Sequence, residues 1–198
     1  MRKLRKMSQS LLMVVLVLIV IIGIETFAEQ STDKPDITVK DIKSQTVLYT
    51  IYRGNYEKIG DTISKLYALA IKNEIWPRGS LSCVYLNNVH YISHEHCLVE
   101  IRIPVSEDSL KHAGKLGEMT DVKTVNAMEA AVMIKPAGNT NYDYYAKVFD
   151  DIYAWIAKHN YSIADDAYEI FATDSGTTDY SQVNSEIMVP VFKISQED

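Results

Sequence analysis

Apolar and polar positions alternate from Ile42 to Gly54. Val47, Tyr49 and Ile51 fall on one side, and Leu48, Thr50 and Tyr52 on the other, which predicts a strand. Gly54-Asn55 ends it. Within Glu57–Asn73 the apolar residues Ile59, Ile63, Leu66, Ala70 and Ile71 recur at helical spacing. Ser80–Leu86 and Leu98–Val105 then read as two strands joined through Asn87–Cys97. The same order returns further along: a strand over Val122–Lys135, bent or bulged, and a helix over Tyr142–Asn160 with the stripe Tyr145, Phe149, Ile152 and Ile156. Strands over Ala167–Thr173 and Ser185–Ile194 complete it, joined by a turn at Asp174–Thr177.

The recurrence has a fixed register. Val47–Val105 maps onto Met133–Val191 at an offset of 86, so that Tyr67-Ala68 falls on Tyr153-Ala154, Val84-Tyr85 on Ile170-Phe171, and Glu100-Ile101 on Glu186-Ile187. A repeated supersecondary unit usually buries a shared surface by stacking its copies. The expected fold is α+β: two strand-helix-strand-strand modules with pseudo-two-fold symmetry and antiparallel sheets, with a ligand cleft between the modules. Residues 42–106 form the first module, 107–120 a linker and 121–198 the second module.

Alternation also sorts side chains by face. Val99, Ile101, Ile103 and Val105, with their matches Ser185, Ile187, Val189 and Val191, are expected under the helices, joined by Val84 and Ile170. Cys83, Tyr85, Glu169, Phe171, Glu186 and Met188 would then occupy the other face. That face would hold two carboxylates beside aromatic and polarizable groups. Such carboxylates could neutralise a cationic ligand, with ring faces adding cation–π attraction. They could instead serve as a general base, or merely keep an exposed sheet soluble. Trp155 lies off the helix stripe and is expected at the cleft.

The N-terminal segment changes the picture of where the protein works. Arg2, Lys3, Arg5 and Lys6 precede an unbroken apolar run of 14 residues, Leu11–Ile24, and small residues precede Ala28. Residues 1–28 read as a signal peptide cleaved after Ala28 or as an N-terminal membrane anchor, followed by a polar linker over 29–41. Either form places the folded part outside the cytoplasm, secreted or anchored in the cell membrane, touching the membrane only through residues 11–24.

Without residues 1–28 the chain keeps 16 basic and 25 acidic side chains, a net charge of about −9. That balance opposes a nucleic-acid partner. Cys83 and Cys97 form no C-x-x-C pair and are expected as two thiols. His90, His94, His96 and Cys97 cluster in the first hairpin, but in a polar loop without a second ligand group, so no metal and no cofactor is expected. Ser175-Gly176 lacks the strand-to-helix elbow of a serine hydrolase.

Three segments carry a resemblance: Tyr153-Ala154-Trp155-Ile156, Tyr168-Glu169-Ile170-Phe171, and Glu186-Ile187-Met188-Val189-Pro190-Val191. In this order, on doubled modules, they resemble the GyrI-like (gyrase-inhibitor-like) small-molecule-binding domain over residues 42–194. The same domain is the effector-binding part of some bacterial AraC-type and MerR-type regulators. The resemblance implies an aromatic-lined cleft for hydrophobic, often cationic compounds, with a functional glutamate on a strand of the second module. Glu169 holds that position, and Glu186 is the second choice. The implied ligand-binding set is Glu169, Glu186, Phe171, Trp155, Met188 and Tyr85. Some stand-alone members are similar enough to imply a hydrolase in which the glutamate activates water, with Glu169 or Glu186 as the catalytic candidates. A third class, a protein-interaction domain without a pocket, also fits the sheet faces. The sequence departs from the regulators in lacking a helix-turn-helix segment and in carrying the N-terminal apolar run.

Overall fold

Branched and aromatic residues at alternating positions form strands, and the two apolar stripes at helical spacing form the helices that cover them. The computed structural model describes residues 36–87, 91–138, 142–172 and 183–195. The strands are β1 (Ile37–Ile42), β2 (Gln45–Gly54), β3 (Ser82–Tyr85), β4 (Cys97–Val105), β5 (Thr120–Val125), β6 (Met128–Lys135), β7 (Tyr161–Ile163), β8 (Tyr168–Phe171) and β9 (Ser185–Lys193). The helices are α1 (Ile59–Lys72) and α2 (Tyr142–Lys158). The strands make one sheet in the order β1-β6-β9-β8-β3-β4-β2-β5, with β7 also beside β9. Each pairing is antiparallel.

The fold is α+β, as expected; the first half runs β2, α1, β3, β4, whereas the second runs β6, α2, β7, β8, β9, with a short strand more than the expected module. The halves meet edge to edge where β3 pairs with β8, so their strands form one continuous sheet. Ile63, Leu66 and Ala70 of α1 and Phe149, Ile152 and Ile156 of α2 are buried in one core with Ile101, Ile103, Ile187 and Val189 of the sheet. Apart from Ala70, burying each of these side chains contributes about 1.5–3 kcal/mol. Both helices end in a left-handed residue, Glu74 (φ 58°) and Asn160 (φ 60°), again 86 positions apart.

The fixed offset fails in one place. Val47 lies opposite Pro104, whereas Ala130 lies opposite Pro190, so the first strands match at an offset of 83. Three extra residues therefore separate β6 from its helix, and Lys135, not Gly138, is the counterpart of Tyr52.

Several boundaries are corrected. The segment read as a linker to Asp41 is strand from Ile37, paired with β6. Val122–Lys135 is two strands: β5 returns to β2 of the first half, while β6 pairs with β1 and β9. A break at Asn126-Ala127 lets one apolar run serve opposite edges of the sheet. No helix among the described residues is long and apolar enough to cross a membrane. The signal or anchor read over 1–28, the remainder of the linker before Asp36, His90 and the turn at Asp174–Thr177 lie outside the described residues.

The face assignment is also corrected. Directly opposed residues share a face, and Cys83 stands opposite Ile101 while Glu169 stands opposite Ile187. Cys83, Tyr85, Glu169 and Phe171 therefore lie on the helix side. Val84, Tyr168 and Met188 form a smaller apolar cluster on the opposite face, against which Ile170 packs. Alternation gives each strand two faces but not its phase relative to its neighbour. The four residues of β8 include only one polar side chain, and Glu169 is the one buried completely.

Candidate functional site: a buried carboxylate in a tyrosine cage

Glu169 sits in the middle of β8, at the seam between the halves and beneath the helices. It has no solvent exposure. An isolated carboxylate in such a place would be very costly, so the surrounding residues must supply donors and charge. Tyr85 at the end of β3 donates its hydroxyl to Oε2 at 2.6 Å. Tyr145, in the first turn of α2, donates to the same carboxylate at 3.1–3.2 Å. Ser185, the first residue of β9, donates to Oε1 at 2.5 Å. The Lys135 ammonium, at the end of β6, lies 3.3 Å from Oε1 and is itself only 1 % exposed. Register explains two of these partners: Lys135 stands opposite Ser185, which stands opposite Phe171, two residues from Glu169.

Aromatic rings surround this core. The Tyr56 and Tyr85 hydroxyls are 3.3 Å apart. Because Tyr85 spends its proton on Glu169, Tyr56 is the donor in that pair, giving a relay from Tyr56 to Tyr85 to the carboxylate. The Tyr56 and Tyr85 rings stack at 6.2 Å, and Phe149 meets Tyr85 edge-on at 5.9 Å. Phe149 in turn stacks on Tyr153 at 6.0 Å. The Lys135 ammonium also lies over the Tyr145 ring, 5.3 Å from its centroid. Tyr56, Tyr145 and Tyr153 are half-buried, and they are where the cage reaches solvent.

Burial, and then the nearby negative charge of Glu169, push the hydroxyls of Tyr56 and Tyr85 well above the ordinary phenol range. The same causes raise Tyr145 and the Cys83 thiol. These groups therefore stay protonated, so the tyrosines remain donors at any ordinary pH and Cys83 remains an unreactive thiol. Both cysteines are buried, and they form no disulfide with each other.

Of the residues proposed from sequence, Glu169, Tyr85 and Phe171 come together on the helix side. Glu186 and Met188 do not. Glu186 is on the opposite face in a partly exposed pair with Lys40 at 2.6 Å, and Met188 is buried in the apolar cluster there. Trp155 lies near the C-terminal end of α2, stacked on His159 at 4.1 Å and on Tyr161 at 5.9 Å. Four cage members were not among the sequence candidates: Lys135, Ser185, Tyr145 and Tyr56. Tyr145 belongs to the helix stripe, and Ser185 differs only as the one hydroxyl in an otherwise aliphatic set. Lys135, just before Pro136, carries the ordinary signature of an exposed strand end. The opposite face has its own buried acid, Glu100, held by Arg102 at 2.5 Å and Lys123 at 2.8 Å. Among the described residues, no group of three or more histidines, cysteines or acids could hold a metal.

A half-open aromatic cage over one buried acid, on the helix side of an antiparallel sheet, defines an α+β domain of the small-molecule-binding class. The chain belongs to the GyrI-like small molecule binding domain family, whose sequence profile matches residues 21–191. In sequence, no curated protein matches it. In fold it is similar to the C-terminal domain of EcmrR, with a TM-score of 0.65 and 15% identity over 81% of this chain and 99% of that one. It is also similar to EcmrR in its complex with DNA, with a TM-score of 0.68 and 14% identity over 98% of this chain and 70% of that one. A hydrolase from Listeria innocua is similar at a TM-score of 0.56 and 9% identity, over 85% of this chain and 98% of that one. At these identities the likeness is one of fold.

The ion pair at the centre of the cage makes a strong prediction for stability. Glu169→Gln leaves a buried ammonium without its carboxylate and is expected to cost about 3–5 kcal/mol in denaturant unfolding. Adding Lys135→Met to that variant should recover part of the loss, because no uncompensated charge then remains. Simple addition of the two single costs would contradict the coupling.

Proposed function

We propose that this protein is an effector-binding protein whose ligand is a small amphipathic molecule seated in the cage around Glu169. The observation that carries the reading is a wholly buried carboxylate ringed by tyrosines, of which Tyr56 and Tyr145 are only half-buried. A core that served stability alone would be better filled with apolar groups. Tyr56, Tyr145, Phe149 and Tyr153 offer aromatic walls, while the carboxylate and its donors offer a polar floor, the usual composition of a ligand pocket. Glu169 alone would favour cationic compounds, but the Lys135 ammonium lies 3.3 Å from its carboxylate.

The hydrolase reading requires Glu169 or Glu186 as general base, and Glu186 lies on the opposite face, paired with Lys40. The two oxygens of Glu169 already accept from Tyr85, Tyr145 and Ser185 and pair with Lys135. That arrangement favours holding a ligand over abstracting a proton. A protein-interaction domain without a pocket would give the caged acid no role. The net charge of −6 opposes a nucleic-acid partner for this chain.

Two triphenyl compounds with one body test the binding reading: triphenylphosphine oxide, which is neutral, and methyltriphenylphosphonium, a cation. At least one is expected to raise the melting temperature of the protein, and Tyr145→Ala should abolish the shift. No shift from either, or a shift that survives in the variant, would remove the cage from the account.

The place of action follows from Leu11–Ile24 and the basic residues before it: the domain is proposed to work outside the cytoplasm, secreted or membrane-anchored. Mass measurement of the protein from its native membrane and secreted fractions checks this. A start at Glu29 indicates cleavage, an intact chain in the membrane fraction indicates an anchor, and an intact chain found only in the soluble cytoplasm would reject both.

A further inference from the structure

A cationic head entering the cage would use two attractions: the charge of Glu169 and the face of a tyrosine ring. Lys135 already makes both. Its ammonium is 3.3 Å from the carboxylate and 5.3 Å from the Tyr145 ring centroid. It is also buried, so neither its charge nor that of Glu169 is damped by bulk water. Together the two groups carry no net charge. A second cation placed beside them would meet an attraction and a repulsion of similar size, and it would have to displace a buried ammonium to reach the carboxylate.

The donors around the acid point to a different head group. Tyr85, Tyr145 and Ser185 each bring a hydroxyl, and Lys135 brings its ammonium. A hydroxyl can rotate to share its proton with an incoming acceptor, and an ammonium has three protons to distribute. An anionic head would gain those donors but face Glu169 at close range. An uncharged acceptor such as an amide, ketone or phosphine oxide oxygen can take a share of the same donors while facing the carboxylate with only a partial charge.

We propose that Lys135 sets the charge preference of the cage, acting as a built-in counter-cation so that the site selects uncharged aromatic molecules with a hydrogen-bond-accepting head over lipophilic cations. The comparison between halves supports a dedicated role. Lys135, Glu169 and Ser185 stand where the first half has Tyr52, Cys83 and Val99, so the second half holds both the acid and the cation that neutralises it where the first holds neither. The inference rests on the cage being the ligand site.

Calorimetric titration of the full chain with triphenylphosphine oxide and with methyltriphenylphosphonium tests it. The wild-type protein is expected to bind the neutral compound at least about tenfold more tightly, a ratio equivalent to ~1.4 kcal/mol. Lys135→Met and Lys135→Gln should each reverse the order by exposing the charge of Glu169. Equal or tighter binding of the cation by the wild-type protein overturns the proposal whether or not the variants fold, as does an unchanged ratio in a folded variant. Binding of neither compound to any of the proteins rejects the cage as a ligand site altogether, a result distinct from loss of the preference alone.

Discussion

A carboxylate without solvent exposure constrains everything around it. Glu169 must be answered by donors, and no single element can supply them. They come from the end of β3, the end of β6, the start of α2 and the start of β9. The acid thus ties both halves of the sheet and one helix to a single point. An apolar residue there would be easier to bury. The cost of desolvating an ion pair is spent on a preformed polar centre inside an aromatic shell, which is what a ligand site requires.

The two halves divide the work. From the helices onward they match at an offset of 86, down to the left-handed residues after each helix. The first strands match at 83, and that slip of three residues puts Lys135 opposite Ser185. Where the halves differ, the second carries the chemistry: Tyr52, Cys83, Val99 and Ile59 of the first half correspond to Lys135, Glu169, Ser185 and Tyr145 of the second. The first half contributes Tyr56 and Tyr85, the two rings that close the cage across the seam. Neither half holds the complete site.

The fold was largely legible in the sequence, because a 3.6-residue stripe and a two-residue alternation each have one physical cause. Ile63, Leu66 and Ala70, and their counterparts Phe149, Ile152 and Ile156, are buried as their spacing requires. The phase between neighbouring strands was not legible. It depends on which residues stand opposite each other, and in β8 the pattern Tyr-Glu-Ile-Phe gives no polar edge to fix it. Glu169 was therefore singled out but assigned to the wrong face, and Glu186 and Met188 were grouped with it when they belong to the far side. Lys135 was invisible for a related reason: a lysine before a proline at a strand end normally points to water, and only the position of Glu169 across the sheet turns it inward. Residue types identified the acid, but register decided its company.

The central claim is that a ligand enters from the helix side, onto the tyrosines around Glu169. Nuclear magnetic resonance of labelled tyrosine rings tests it directly as triphenylphosphine oxide is added. The account predicts that the signals of Tyr56, Tyr85 and Tyr145 move while those of Tyr49 and Tyr168, on the opposite face, stay in place. Movement of Tyr49 and Tyr168 with the cage signals unchanged would contradict it.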